Sequence, residues 1–497
     1  MLVLIAILLS TSQVLAKFTS RFKDPSFPQY PNDMRGIPFR LGSMTPYHPP
    51  DKTCVAIRGH CTVRHGAKFP KEDVQNGISG LNFIQDHLNT QYEDENKLNA
   101  LPPENKEVVH KIMKWVNKTS EKSSKEINEH GLLTMYKLGR RWNSRLLNIV
   151  TSIKSEKDIE FNSAKEHRCI ESGREFLKGF LKIQKEKDST VIKIPPAKIP
   201  EIGGADHRIK LDKGKPEVKG ERKPKNPDEE EVEIKFFNKV CPQNTCYLID
   251  KIGKLLFPSD DEWKTWRDKI TSARIWAMYM ACANSYVYEY SKEEEGQAWC
   301  HVFDNDDIIM FENMNDYQYY VKNGYNDIKT KNYGHPMMRD ILKFLNEKDT
   351  EKFKLFASHT SNCLSLITGF RMLEDEVKLS LENMTEGDKM NNRKWKSSLI
   401  GNYACNIMVV VYECENAKYK ISEEVSIFLN ETPLEMVFEN ERTCTQCPID
   451  DVKNLIEELL NDLPTAEELK EYENSQKGKI VQEKIGETSI SESSVKT

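Results

Sequence analysis

The run CTVRHGAKFP, residues 61–70, places residue types suited to phosphate chemistry side by side. An imidazole that attacks phosphorus needs cations around the phosphoryl oxygens, because negative charge builds on those oxygens as the new bond forms. Arg64 can hold two oxygens at once, Gly66 lets backbone approach closely, and Lys68 adds a second positive charge. His65 would be the nucleophile and would carry the phosphoryl group as phosphohistidine. Taken alone, however, such a histidine is more often an ordinary hydrogen-bonded residue.

Two predicted strands lead into candidate site histidines. CVAIRGHCTV, residues 54–63, is rich in β-branched and small residues and ends just before His65. KFKLFAS, residues 352–358, ends at His359, and CLSLITGFRML continues beyond it with the spacing of a helix. Two further buried strands are predicted towards the carboxyl end, residues 405–414 and 423–431.

Helical spacing dominates between these strand-forming ends. Its clearest example is an apolar face at steps of three and four, made by Leu138, Trp142, Leu146 and Ile149. Residues 193–233 are rich in proline, glycine, lysine and glutamate, and they bury too little apolar surface to offset their ordering entropy, which predicts a flexible charged loop.

The pattern predicts an α/β fold, with a central mixed sheet flanked by helices and an inserted, mostly helical cap domain. A ligand is expected in the cleft between the two parts. The predicted divisions are a signal peptide at 1–16, the start of the α/β core with the nucleophile motif at 17–80, a largely helical insert at 81–350, the end of the core at 351–461 and a polar tail at 462–497.

The composition is typical of a globular secreted protein. The chain has 497 residues, 38% of them hydrophobic, and its net charge of −5 makes no general case for nucleic-acid or membrane binding, so any anion site must be local. The opening MLVLIAILLSTSQVLA predicts a cleaved signal peptide and is too short for a membrane anchor. Twelve cysteines and three glycosylation sequons, at Asn117, Asn383 and Asn430, fit an oxidising, extracellular compartment better than the lumen of the endoplasmic reticulum.

The heptad RHGAKFP resembles the Arg-His-Gly-x-Arg-x-Pro signature of the histidine acid phosphatases. HRCIESGREFLKGF, residues 167–180, is similar to the segment of that family with a further phosphate-binding arginine, here Arg168. LFASHTSNCLSLITGF falls where the family has its second histidine, here His359. Other segments resemble one branch, the multiple inositol polyphosphate phosphatases: IKFFNKVC, WCHVFDNDDIIMFENMNDYQYYVKNGY and YACNIMVVVYEC. The resemblance covers roughly residues 40 to 450.

This resemblance implies that His65 is the nucleophile and that four side chains surround the phosphate: Arg64, Lys68, Arg168 and His359. It implies the α/β fold with a helical cap, no metal and no cofactor. The implied partner is a small phosphorylated molecule: a phosphomonoester, with inositol hexakisphosphate and lower inositol phosphates favoured and bisphosphoglycerate as a second substrate. Nucleic acid and a stable membrane anchor are not implied.

Two positions depart from the family pattern. Lys68 replaces an arginine, which keeps the charge but loses the planar fork that holds two oxygens. The second histidine of the family is followed by an acid, as His-Asp or His-Ala-Glu, whereas His359 is followed by Thr360, Ser361 and Asn362. General acid catalysis contributes about 10² to 10⁴ in rate. The sequence therefore leaves open impaired or altered hydrolysis, a phosphatase without inositol preference, and a protein that binds phosphorylated ligands without turnover.

Other motifs favour structural interpretations. The group Cys54, His60, Cys61 and His65 matches no common zinc spacing. DNDD, residues 304–307, lacks the glycine and glutamate of a calcium loop and predicts a solvated acidic turn. Structural disulfides, local or to other cysteines, are expected at Cys444 and Cys447 and at Cys241 and Cys246, and the sequence leaves their connectivity open. Cations that could meet further phosphates of a polyanion are Arg140, Arg141, Lys165 and His167.

Overall fold

The computed structural model describes most of the chain between residues 52 and 462. The described residues are 22–23, 52–119, 124–182, 192–199, 236–237, 239–242, 246–288, 297–326, 330, 333–348, 351–385, 392–416, 420–438 and 442–462. The predicted signal peptide, nearly all of the predicted flexible loop and nearly all of the polar tail lie outside them.

A mixed sheet of seven strands forms the centre of the described structure. Its strands are β2 (Lys52–Arg64), β3 (Ile159–Ser163), β4 (Phe353–Ser358), β5 (Asn406–Asn416), β6 (Ile421–Leu429), β7 (Thr432–Pro433) and β10 (Cys447–Pro448). The order is β10-β6-β5-β2-β4-β3, with β7 on β6. Strands β2, β4 and β3 run parallel, and β5 is antiparallel to β2. A small second sheet contains β1 (Phe22–Lys23), β8 (Glu435–Val437) and β9 (Thr443–Cys444).

Strands β2, β4, β5 and β6 confirm the four predicted strands. Strand β3 lies inside the range for which the sequence pattern predicts helices. It has only five residues, IEFNS, and its alternating burial leaves no continuous apolar run to detect. Its register is fixed by pairing with β4 along its whole length.

Helices cover both faces of the sheet. Their bounds are α1 (Glu72–Ser79), α2 (Asn82–Gln91), α3 (Glu95–Asn99), α4 (Pro103–Met113), α5 (Glu129–Arg145), α6 (Leu147–Ser152), α7 (His167–Phe180), α8 (Tyr247–Leu256), α9 (Asp260–Trp266), α10 (Ser272–Tyr288), α11 (Asn305–Asn323), α12 (His335–Asn346), α13 (Thr360–Gly369), α14 (Leu381–Thr385), α15 (Ser397–Ile400) and α16 (Ile449–Asn461). The mixture of a central sheet and many helices confirms the predicted α/β class.

The two cores follow the alternation of the strands. On β5, Met408 and Val410 join the core beneath α5, α6 and α7, whereas Ile407, Val409 and Val411 join the core on the opposite face. The predicted apolar face from Leu138 to Ile149 is buried, although the chain changes direction at Leu146 between α5 and α6.

Helices α5 and α7 cross at unusually close range because both present glycine. A Cβ on Gly139 would lie 2.0 Å from the Phe176 carbonyl oxygen, and a Cβ on Gly179 would lie 2.1 Å from the Tyr136 carbonyl oxygen. This crossing fixes the direction of α7, whose amino end reaches the edge of the sheet where the predicted strands end.

Four disulfides lie in the described part of the chain: Cys54–Cys414, Cys241–Cys246, Cys282–Cys300 and Cys444–Cys447. The disulfides expected at Cys241, Cys246, Cys444 and Cys447 are therefore present, and both prove to be local. Cys54, bonded to Cys414, is not available for zinc. The remaining thiols are buried and unpaired: Cys61, Cys169, Cys363 and Cys405. Within the described residues, no helix has the length and apolar character needed to cross a lipid bilayer.

Candidate active site

The carboxyl ends of three parallel strands bring the predicted site residues to one edge of the sheet. His65 follows β2, His359 follows β4 and caps α13, and Arg168 stands in the first turn of α7 after β3. Open α/β sheets bind ligands outside the carboxyl ends of their strands. Segments separated by about 300 residues in sequence therefore meet at one edge of the sheet.

His65 has the properties of a nucleophilic imidazole. Its Nδ1 lies 2.8 Å from the carbonyl oxygen of Gly66, so Nδ1 carries the hydrogen and Nε2 keeps a free lone pair. Burial first, and then the positive charge of Arg64, hold the pKa of His65 well below its usual range. The imidazole is only 3% exposed, and its centroid lies 5.5 Å from that of His359. A buried, neutral imidazole is ready to attack at neutral pH.

The loop after His65 is held by backbone contacts that only small residues allow. A Cβ on Gly66 would lie 2.4 Å from the carbonyl oxygen of Gly131 at the start of α5. The Gly66 N–H donates to Ser172 Oγ at 2.9 Å, and that hydroxyl donates to the Arg168 carbonyl oxygen at 2.6 Å. These hydrogen bonds hold the loop against the amino end of α7, and they fix the position of Arg168 relative to His65.

Three cations lie around His65, and none of them forms an ion pair with a carboxylate among the described residues. The Arg64 guanidinium lies 4.1 Å over the ring of Tyr403 and donates to the carbonyl oxygen of Gly401. Burial and then the charges of Arg168 and Arg64 lower the pKa of Lys68 to about 8. The Nε atoms of both arginines are buried and find no hydrogen-bond partner among the described residues. Such a cluster is stabilised by an anion.

A carboxylate at the amino end of α7 lies beside His359 and was not among the site residues predicted from the sequence. Glu166, the N-cap residue of α7, accepts a hydrogen bond from His359 Nε2 at 3.0 Å. Burial opposes ionisation, but the hydrogen bond and the charge of His359 outweigh it and lower the pKa of Glu166. The Cys169 sulfur lies 3.6 Å from His359 Nδ1.

Glu166, Cys169 and His359 place their ligand atoms within 4.8 Å of one another, as a metal site would. Burial, however, raises the pKa of the Cys169 thiol to about 12, so it is not the thiolate that a metal needs. The adjacent positive charges of Arg168 and Arg64 also oppose a divalent cation. The chemistry of this group does not fit a metal.

Several cations and acids predicted outside the central group have other partners. Arg141 makes a bidentate ion pair with Glu431, at 2.8–3.0 Å. His167 pairs with Glu126 at 3.0 Å. Lys71 and Lys125 are instead close enough to contribute to the lowered pKa of Lys68. They, rather than Arg141 and His167, extend the positive field of the pocket.

The acidic run DNDD is not the solvated turn that was predicted. Asp304 caps α11 and accepts from the Asp307 N–H at 3.0 Å, and Asp307 reciprocates, which makes a capping box. Lys251 bonds both carboxylates, and Asp307 is buried. The negative charges compensate a helix amino end and a lysine.

The asparagines of the three sequons all use both side-chain amide atoms within the fold, and the sequons remain predictions as glycosylation sites. Asn430 Oδ1 accepts from the Asn406 N–H, and its Nδ2 donates to the Leu399 carbonyl oxygen at 2.6 Å. Asn383 accepts from the Ser380 N–H and donates to the Lys378 carbonyl oxygen, and Asn117 accepts from the Thr119 N–H and donates to Ser79 Oγ.

Residues 60–430 match the profile of the histidine phosphatase superfamily (branch 2). Multiple inositol polyphosphate phosphatase 1 of Homo sapiens is 31% identical over 180 residues, which is 34% of this chain and about a third, 36%, of that protein. The protein of the same name from Gallus gallus is 22% identical over 351 residues, which is 68% of this chain and 70% of that protein. The crystal structure of Bifidobacterium longum multiple inositol polyphosphate phosphatase with inositol hexasulfate has a similar fold, with a TM-score of 0.50 at 14% identity, covering 90% of this chain and 98% of that one.

Proposed function

Because the chain belongs to branch 2 of the histidine phosphatase superfamily, we propose that it hydrolyses phosphomonoesters through a phosphohistidine at His65 and that inositol polyphosphates are its substrates. The observation that carries this proposal is the arrangement around His65. A neutral imidazole with a free Nε2 lies among three cations, Arg64, Lys68 and Arg168, and the part of the chain that the structure describes supplies no ion-pair partner to any of the three.

In the proposed reaction the ester phosphate lies between His65 and the cations. The three cations bind the non-bridging oxygens and stabilise the charge that develops on them. His65 Nε2 attacks phosphorus and displaces the alcohol, and the Gly66 carbonyl oxygen holds Nδ1–H so that the imidazole keeps its orientation. Water then attacks the phosphohistidine and releases phosphate.

The proposed substrate class rests on charge and on the relatives. Lys71 and Lys125 extend positive charge beyond the central phosphate position, as a ligand with several phosphates requires. The human and chicken relatives are named as inositol polyphosphate phosphatases, and the B. longum enzyme was solved with inositol hexasulfate. We further propose secretion, which the four disulfides support.

One observation favours a second candidate, a protein that binds phosphorylated ligands without turnover. His359 is followed by Thr360 and Ser361, so the acid that the family carries beside its second histidine is missing. A hydroxyl is far too weak an acid to replace it.

Phosphate release from inositol hexakisphosphate and from p-nitrophenyl phosphate, between about pH 4 and 7, tests the proposal. We expect the full chain to release phosphate from both esters. Tight binding of inositol hexasulfate with no release from either ester would support the binding protein and overturn the proposed hydrolysis.

The presence of Lys68 predicts a fall of kcat/KM at alkaline pH, called here the alkaline limb, that an arginine at this position would not produce. As pH rises through about 8, Lys68 in the free protein loses its proton and the pocket loses one positive charge. We therefore expect kcat/KM for p-nitrophenyl phosphate to fall about tenfold between pH 7.5 and 9.5, with most of the loss in KM, since kcat/KM reports the free enzyme. Lys68→Arg should remove this limb, because arginine keeps its charge.

The matched control for this measurement is Lys178→Arg. Lys178 lies on α7 and pairs with Glu175 at 2.7 Å. The Lys178→Arg variant should keep the wild-type pH profile of kcat/KM. An alkaline limb of the same position and size in Lys68→Arg would contradict the assignment.

A further inference from the structure

The proposed hydrolysis lacks an assigned proton donor, and the structure offers a carboxyl group in a different element. The residues after His359 are threonine, serine and asparagine, none of which donates a proton readily. Glu166 belongs to the turn between β3 and α7 and lies against His359, with 3.0 Å between its Oε2 and His359 Nε2. The turn after β3, the strand next to β4, thus places a carboxylate beside the second histidine, His359.

The position of Glu166 suits the leaving group rather than the nucleophile. Phosphoryl transfer keeps the attacking and leaving atoms roughly in line, so the leaving oxygen points away from His65. His65 is 3% exposed, whereas the side chains of His359 and Glu166 are 16% and 26% exposed. We therefore expect the ester oxygen of a phosphate bound at His65 to face the more exposed side of the site, where Glu166 lies.

We propose that Glu166 is the proton donor of this chain and replaces the acid that the family carries after its second histidine. This inference rests on the proposed phosphatase function. His359 holds one carboxyl oxygen of Glu166 by its hydrogen bond, which orients the group and leaves the other oxygen to carry a proton.

In the first step His65 Nε2 forms a bond to phosphorus while the bond from phosphorus to the ester oxygen breaks. The electron pair of the broken bond stays on that oxygen, which takes the proton of Glu166 and leaves as an alcohol. In the second step the oxygen of a water molecule bonds to phosphorus and its proton passes to the Glu166 carboxylate. The bond from nitrogen to phosphorus breaks, its electron pair returns to His65, and the site is restored.

The surrounding charges explain how Glu166 is ionised in the free protein and takes up a proton when phosphate binds. Without ligand, the hydrogen bond and charge of His359 and the charge of Arg168 lower the pKa of Glu166 and keep the carboxyl group ionised. A bound phosphate brings negative charge between these cations and the carboxylate, which favours uptake of a proton from solvent. The partial exposure of Glu166 allows that uptake.

The test compares Glu166→Gln with the wild-type chain on two esters that differ in leaving group. p-Nitrophenolate leaves without help, whereas the alkoxide of glycerol 2-phosphate needs a proton. We expect Glu166→Gln to lower kcat/KM for glycerol 2-phosphate about 10²- to 10³-fold and kcat/KM for p-nitrophenyl phosphate less than about threefold, because kcat/KM covers the first step and not the hydrolysis of phosphohistidine that both esters share. Glu171→Gln is the matched control: its side chain is 24% exposed on the same helix, and it should change neither rate.

Glu166→Ala, assayed beside Glu166→Gln, keeps the test decisive if one variant misfolds, and thermal unfolding checks both. Equal losses in kcat/KM on the two esters would overturn the proposal, because a residue that only positions His359 would affect both. No loss on either ester would overturn it as well. A wild-type chain that cleaves the aryl ester but not the alkyl ester would refute the donor and keep the proposed function, whereas a chain that cleaves neither would refute the proposed function itself.

Discussion

Replacement of His65 by alanine is expected to abolish phosphoryl transfer, with a loss of about 10⁴- to 10⁶-fold in kcat for p-nitrophenyl phosphate. The reason is that the imidazole Nε2 forms the bond to phosphorus, and the cations that remain can only stabilise charge. Binding of inositol hexasulfate should persist, because Arg64, Lys68 and Arg168 are still present. The measurement is a steady-state assay combined with rapid alkaline denaturation after reaction with a radiolabelled ester, which preserves the acid-labile phosphohistidine and should label the wild-type chain but not His65→Ala.

His110→Ala is the control for this loss. His110 is exposed on α4, apart from the three strand ends, and its removal should change kcat less than about twofold. Substantial residual turnover or covalent labelling in His65→Ala would show that another group attacks phosphorus. The buried loop at residues 64–66 would then serve only to bind phosphate.

The fold was largely predictable because its strands have strong local signals. Strands β2 and β4 are rich in apolar residues and are each followed by a histidine, and β5 contains the apolar run IMVVV, so each could be recognised from its own residues. Strand β3 was not predicted, because Glu160 and Asn162 interrupt its apolar residues. It exists as a strand through pairing with β4 and burial of Phe161, which are tertiary effects that no local pattern records.

Only the site residues that belong to recognisable sequence motifs could be predicted. Arg64, His65 and Lys68 stand in one short run, so their proximity followed directly from the sequence. Glu166 was missed because a glutamate in the charged run KEHRC is indistinguishable from an exposed helix-end residue until β3 and β4 are paired side by side. Tyr403 was missed for a similar reason: only the fold places its ring under Arg64. Contacts across strand ends depend on strand order, which sequence periodicity does not encode.

Arg168→Ala is expected to lower kcat/KM for p-nitrophenyl phosphate about 10²- to 10⁴-fold, the second largest effect. A guanidinium can hold two phosphoryl oxygens, and each hydrogen bond between charged groups contributes about 1.5–3 kcal/mol. The buried and unpartnered Nε of Arg168 shows that the described residues do not use up its donors. Without a ligand this cation repels Lys68 and attracts Glu166, and these opposing effects offset each other, so the variant should unfold at a temperature close to that of the wild type.

The same change should move the alkaline limb assigned to Lys68. Arg168 is the charge that contributes most, after burial, to the lowered pKa of Lys68, so its removal raises that pKa and shifts the limb to higher pH. Arg174→Ala is the matched control on the same helix, since Arg174 is exposed and pairs with Glu171 at 2.6 Å. It should leave both kcat/KM and the limb unchanged. A large loss in Arg168→Ala with an unmoved limb would mean that Arg168 and Lys68 do not share one phosphate, and the proposed pocket would have to be divided.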